Sequence, residues 1–223
     1  MLIKFDVKKH NALKRINMKK YNNDKRSLME QIGDIREKMK DNYEENDISD
    51  AACKIRKIFA VGDSEIFPIV AILNSLGIRT FQKRMIPREL SAYISVNPKY
   101  LTMYDTTKIA CVNSIDNAGH KRFALAHELA HYIFDYDERD SLIYYSTYKT
   151  DDNQDNQEEK RANFFAANIL MPKEEFESSL GECEKVFNKS KPDIVEFMSK
   201  KFQVSPTAVM FRFNELGHTE YCI

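Results

Sequence analysis

The feature that most restricts this chain is the pentapeptide His127-Glu128-Leu129-Ala130-His131, set inside the apolar run 123–134. On an α-helix, residues four apart share one face, so the two imidazoles project side by side and can reach one metal ion. Glu128 follows the first histidine closely enough to act as a base on water held at the same place. Two imidazoles and a carboxylate are costly to bury on a mostly apolar helix unless something takes their lone pairs, and a metal does so. H-E-x-x-H on a helix is the arrangement of zinc metallopeptidases. The plainer reading is a buried helix whose histidines are satisfied by hydrogen bonds.

A tetrahedral site needs a third protein ligand and keeps one position for water. The segment 158–172 supplies a candidate: a helix stopped by Pro172, with Ala162, Phe165, Ala166, Ile169 and Leu170 as its inward stripe. Glu159 and Asn163 are four apart and share one edge of that stripe, whereas Glu158 points about 100° away, toward solvent. Glu159 is therefore the expected third ligand. Asn163 is expected to hydrogen-bond a ligating histidine from behind. Alone, Glu159 would read as a carboxylate favoured at a helix N-terminus; the histidine pair changes that balance.

These two blocks carry a resemblance. Residues 122–131, reading R-F-A-L-A-H-E-L-A-H, resemble the R-F-T-L-A-H-E-L-G-H signature of ImmA/IrrE-type metallopeptidases. The block Glu159-x-x-Ala162-Asn163-x-Phe165-Ala166-x-x-Ile169-Leu170-Met171-Pro172 is similar to that family's E-x-x-A-N-x-F-A-x-x-L-L-M-P. The pair also resembles the wider gluzincin pattern, in which E-x-x-x-D follows on a later helix. Departures are Ala124, Ala130, Ile169 and, where many gluzincins have Asp, Asn163; none removes a ligand. A neutral Asn163 would leave its histidine less basic. The resemblance covers residues 60–217. It implies an α+β, zincin-like domain with a small sheet, an HExxH helix, a third-ligand helix and a C-terminal helix pair. It also implies a zinc-dependent endopeptidase acting on helix-turn-helix transcriptional repressors, often those of phages or other mobile elements.

Composition narrows the class further. Lys+Arg and Asp+Glu are equal at 34 each, so no global charge draws the chain to nucleic acid or membrane. No apolar run reaches membrane-spanning length and no signal-peptide pattern opens the chain, so a cytoplasmic protein is expected. Cys53, Cys111, Cys183 and Cys222 are widely spaced and fit reduced structural thiols, not a metal site.

Along the chain, 1–55 reads as a basic and helical N-terminal extension, 56–217 as the metallopeptidase domain and 218–223 as a tail. Within the extension, 1–26 is a basic arm or solvated helix, and Leu28, Ile32, Ile35 and Met39 follow helical spacing. Residues 66–76 predict a helix closed by Gly77. Short β-type runs follow at 78–81, 90–96 and 108–112. The edge of a sheet built from such runs can accept an extended peptide; the resemblance implies an edge strand along the cleft, and 108–112 is the run expected to fill that role. Residues 135–157 join the two ligand helices and carry Tyr144, Tyr145 and Tyr148; their polar end, 151–157, reads as a loop or lid. Any of these hydroxyls could stabilise an oxyanion, though packing is the plainer role. His120 is expected to be exposed.

Residues 192–217 resemble a helix-turn-helix, with Ser205 as N-cap, Pro206 at N1 and Gly217 as C-cap. Its second helix offers Thr207, Met210, Arg212, Asn214 and Glu215, a single cation among them. DNA readers carry more positive charge, so core packing is expected and Arg212→Ala should be nearly silent. The reading from these residues is a metallopeptidase: His127, His131 and Glu159 hold Zn2+ (or Mn2+), and Glu128 is the base. The competing class is a metal-stabilised regulator that binds DNA or a partner protein and cleaves nothing.

Overall fold

Local signals set the starts of several helices. The computed structural model describes residues 3–4, 27–40, 43–136, 143–147, 157–186 and 190–222, with backbone alone for 3–4 and 143–147. Ser27 opens α1 (Leu28–Lys38) through a capping box with Glu30, and Ile32 and Ile35 face the core. α2 (Glu45–Ile58) buries Ile48, Ala51, Ala52, Ile55 and Arg56. The Arg56 guanidinium donates to the Ile169 carbonyl at 2.7 Å, tying α2 to a helix 113 residues away in sequence. The boundary expected between residues 55 and 56 falls within α2, and the buried side chains of α1 and α2 join the same core as the rest. α3 (Ile69–Ser75) begins three residues later than its apolar pattern. Pro68 is the cause, because a residue preceding proline is disfavoured in the α region. Gly77, at φ +75, turns the chain into the sheet.

The sheet runs in the order β1-β2-β4-β3-β5, with β1 (Ile3–Lys4), β2 (Ile78–Lys83), β3 (Leu90–Val96), β4 (Lys108–Asn113) and β5 (Ile143–Thr147). β2 and β4 are parallel; the other pairs are antiparallel. A short helix, α4 (Tyr100–Tyr104), lies between β3 and β4. One expectation is corrected here. The run 108–112 is the central strand and not an edge: β4 is flanked by β2 and β3, and residues 109–113 are all buried. Its unbroken apolar run is the mark of a strand covered on both faces. The connection 135–157 also holds a strand that was not expected, since 143–147 pair with β3. Of the expected basic arm, only Ile3–Lys4 lies within the described residues, as does the backbone of Tyr144 and Tyr145; Tyr148 and residues 151–156 lie outside them.

α5 (Ala118–Phe134) is capped by Asn117 and fully buried from Phe123 onward. α6 (Gln157–Leu170) packs along it. α7 (Lys173–Val186) has no counterpart among the expectations, although Phe176, Ser179, Leu180 and Cys183 follow helical spacing and are buried. α8 (Lys191–Phe202) and α9 (Pro206–Glu215) form the expected pair, with the Ser205 hydroxyl accepting from the Ala208 N–H and Gly217 at φ +86. Gly119 explains how this pair seats on α5. A Cβ there would lie 2.4 Å from the Val204 carbonyl carbon, so only glycine admits the α8–α9 turn. Helices α3 and α5 and most of the core cover one sheet face. Phe81, Met85, Ile109 and Cys111 form a smaller cluster on the other. The fold is α+β. Among the described residues no helix is long and apolar enough to cross a membrane.

Candidate metal centre

The 3.6-residue repeat of α5 sets His127 and His131 one turn apart, with ring centroids 4.8 Å from each other and each side chain 1 % exposed. Their Nε2 atoms are 3.0 Å apart. α6 crosses so that the Glu159 carboxylate meets both rings, at 3.0 Å from His127 Nε2 and 3.3 Å from His131 Nε2. The three donor atoms lie within 4.8 Å of one another.

The far nitrogen of each ring is already engaged. His127 Nδ1 donates to Asn163 Oδ1 at 2.8 Å, from one turn beyond Glu159 on α6. His131 Nδ1 donates to Asp135 Oδ2 at 2.8 Å. A carboxylate or amide oxygen only accepts, so each Nδ1 carries a proton, and each Nε2, once it has lost its own proton, has a lone pair for the shared point. Two imidazole nitrogens and a carboxylate oxygen around one point are the donor set of a three-ligand metal site with room for a fourth partner. The residues present therefore fit a divalent metal.

Electrostatics sharpen the picture. Burial pushes His127 down, against the hydrogen bond to Glu159 that favours its charged form. Burial also works against His131, but its bonds to Asp135 and Glu159 prevail and raise it to about 9. Burial would raise Glu159, yet its contacts with the two histidines carry it down to about 2. Glu128 is entirely buried, and neither carboxylate oxygen has a hydrogen-bond partner among the described residues. Burial pushes it up to about 8, opposed by the charge of His131 and by the Ile94 N–H on β3, which lies close enough to favour the charged form without completing a hydrogen bond. A buried carboxylate without compensation costs stability and is kept where chemistry uses it.

All five residues singled out in the sequence are thus brought together. Glu158 is exposed, on the other side of α6. His120 is a correction: it lies on the first turn of α5, only 20 % exposed, hydrogen-bonded to Ser91 of β3 at 2.8 Å, because β3 runs against that end of the helix. Two neighbours escaped the sequence reading. Asp135 could have been found, since it lies four residues after His131 on the same helical face. Arg161, which forms an ion pair with Asp135, left no signal, because the pair depends on how α5 and α6 cross.

The C-terminal pair carries a correction of its own. Arg212, expected as an exposed cation, is 1 % exposed and paired with Glu215 at 2.9 Å. The Asn168 side-chain amide of α6 donates to the same carboxylate at 2.8 Å. Helical geometry turned position 212 inward, so the expectation of a silent alanine substitution fails. Ile194, Met198, Phe202, Val204, Val209 and Phe213 are core residues, while Phe211 stays 39 % exposed.

Comparison with known proteins agrees with the geometry. The model of the IrrE N-terminal-like domain, an M78 peptidase family, matches residues 74–214. Among curated proteins, none matches the chain. With most of its length matched and both motifs on paired helices, the chain belongs to the IrrE N-terminal-like family of M78 peptidases.

Proposed function

We propose that this protein is a zinc-dependent endopeptidase that cuts a helix-turn-helix transcriptional repressor of a phage or mobile element. The observation that carries the reading is a fully buried Glu128, without hydrogen-bond partners among the described residues, adjoining the point on which His127, His131 and Glu159 converge. His127, His131 and Glu159 would hold the metal. Two imidazoles and a carboxylate suit zinc; manganese favours more oxygen ligands. When bound, the metal supplies Lewis acidity, lowering the pKa of water and polarising the scissile carbonyl. Asn163 fixes the tautomer and tilt of His127. Glu128 takes the proton from the attacking water and passes it to the leaving amine. Burial raises its carboxyl, and a cation beside it would draw the value back down, so that it can both accept and release a proton near neutral pH. The repressor substrate rests on the family resemblance. A regulator that cleaves nothing has no use for a base at position 128, and the burial of Arg212 removes the one cation that α9 would offer to phosphates.

The test combines elemental analysis with cleavage of a candidate repressor, the product of the neighbouring gene, co-expressed with this protein. About one metal ion per chain is expected. It should be lost in His127→Ala, His131→Ala and Glu159→Gln and kept in Glu158→Gln. Glu128→Gln should keep the metal while cleavage falls about 10²–10⁴-fold. A Glu128→Gln protein that still performs fully in the cell would support the regulator instead.

A further inference from the structure

The two histidines of the metal centre are held from opposite directions. His127 leans on an uncharged amide of α6. His131 leans on Asp135, whose side chain is 8 % exposed and whose second oxygen is taken by the Arg161 guanidinium. Arg161 is itself clamped. It donates to the Met39 carbonyl, the C-cap of α1, at 3.1 Å. It lies between two rings, with the Tyr43 centroid at 4.9 Å and the Phe134 centroid at 5.1 Å. α1 grips the same end of α5 a second time. Arg36 donates to the Ile133 carbonyl at 2.8 Å and the Tyr132 carbonyl at 3.1 Å. These last-turn carbonyls have no partner within the helix and need an outside donor.

We propose that α1, which precedes the family-matched region 74–214, is part of the metal centre. It fixes Arg161 and the last turn of α5, Arg161 fixes Asp135, and Asp135 orients His131. Asp135 and Arg161 are therefore positioning residues, and the N-terminal helix helps to set how tightly the site holds its metal. Physically, a ligating imidazole binds well only when its lone pair already points at the metal. A carboxylate on the far nitrogen supplies both direction and basicity. A carboxylate free to swing would supply neither, and the cation held between two rings removes that freedom. This inference rests on the reading of His127, His131 and Glu159 as metal ligands.

The experiment uses the full chain stripped of metal. Zinc affinity is measured by competition with a chromophoric chelator, and the visible absorption of bound Co2+ reports ligand geometry. Asp135→Leu should lower zinc affinity about 10–100-fold. Asp135→Asn, which keeps an acceptor, should lose less and thereby show partial rescue. Tyr43→Leu and Arg36→Gln touch no ligand, yet each should weaken zinc binding a few-fold and shift the Co2+ bands. Removing one member of a buried ion pair can prevent folding. The double variant Asp135→Leu with Arg161→Leu removes both charges and should still bind zinc about 10–100-fold more weakly. Folded Asp135→Asn and double variants with wild-type zinc affinity and an unchanged Co2+ spectrum would overturn the proposal. Silent Tyr43→Leu and Arg36→Gln would remove α1 from it. A wild-type chain that binds neither zinc nor Co2+ would defeat the metal reading itself, an outcome distinct from silent variants of a metal-binding chain.

Discussion

The α5–α6 pair and the α8–α9 pair both bury charge, and they do so in opposite ways. Between α8–α9 and α6, Arg212 and Glu215 set opposite charges side by side, and one oxygen of the carboxylate also accepts from Asn168. That cluster is a joint. Between α5 and α6, His127, His131 and Glu159 crowd their lone pairs toward one point, and Glu128 lies beside them with no partner for either oxygen. A joint answers each charge with another. A site gathers several potential ligands around one point. Burial alone does not separate the two, since Arg212 and Glu128 are equally hidden. What separates them is that Arg212 has a carboxylate paired with it, whereas Glu128 has no hydrogen-bond partner among the described residues and stands beside a cluster of metal-type donors.

The largest effect expected from this contrast is at the joint. Arg212→Met should destabilise the chain by about 3–5 kcal/mol, because it strands Glu215 in the core without its counter-charge. Urea unfolding measures it, and the double variant Arg212→Met with Glu215→Leu should recover much of the loss. A stable single variant would mean that the cluster is no joint. At the site the sign reverses. In the metal-free chain, Glu128→Gln should raise stability by about 1–3 kcal/mol, since it removes an uncompensated buried carboxylate. The pH course follows from the raised carboxyl. Its folded value of about 8 lies above its ordinary value of 4.5, so its favourable contribution is full below about 4.5 and is lost as pH rises through about 8. The advantage of glutamine should therefore be absent near pH 4.5 and greatest above pH 8. Thermal melts of both proteins across that range would show it; a constant difference would undo the assignment. The smallest effect concerns only local order. Ser205→Ala removes the cap of α9 and should cost about 1 kcal/mol in denaturant unfolding, leaving metal content unchanged. A loss of metal in that variant would show that joint and site are coupled.

How much of this was legible in the chain depended on range. The HExxH face, Glu159 with Asn163, and the Ser205–Pro206 start of α9 are all written within four residues, inside one turn of helix, so spacing alone exposes them. Asp135 obeyed the same rule and could have been read. The helix α7 was also present as a period and went unread. β4 illustrates the reverse. Its apolar run announced a strand, but whether a strand is edge or centre is decided by what pairs on either side, and residues 78–83 and 90–96 did so.

The sequence by itself determined the donor set and its spacing on two helices, because helical geometry is local and repeats every 3.6 residues. Only the tertiary structure decided the rest. The crossing of α5 and α6 brings Glu159 onto both imidazoles. Arg161 meets Asp135 across 26 residues and the Met39 carbonyl across 122. The packing of α9 turned its one cation inward to Glu215. Contacts over such separations follow from how whole faces bury against each other, and no short window of residues encodes the angle at which two helices come to rest.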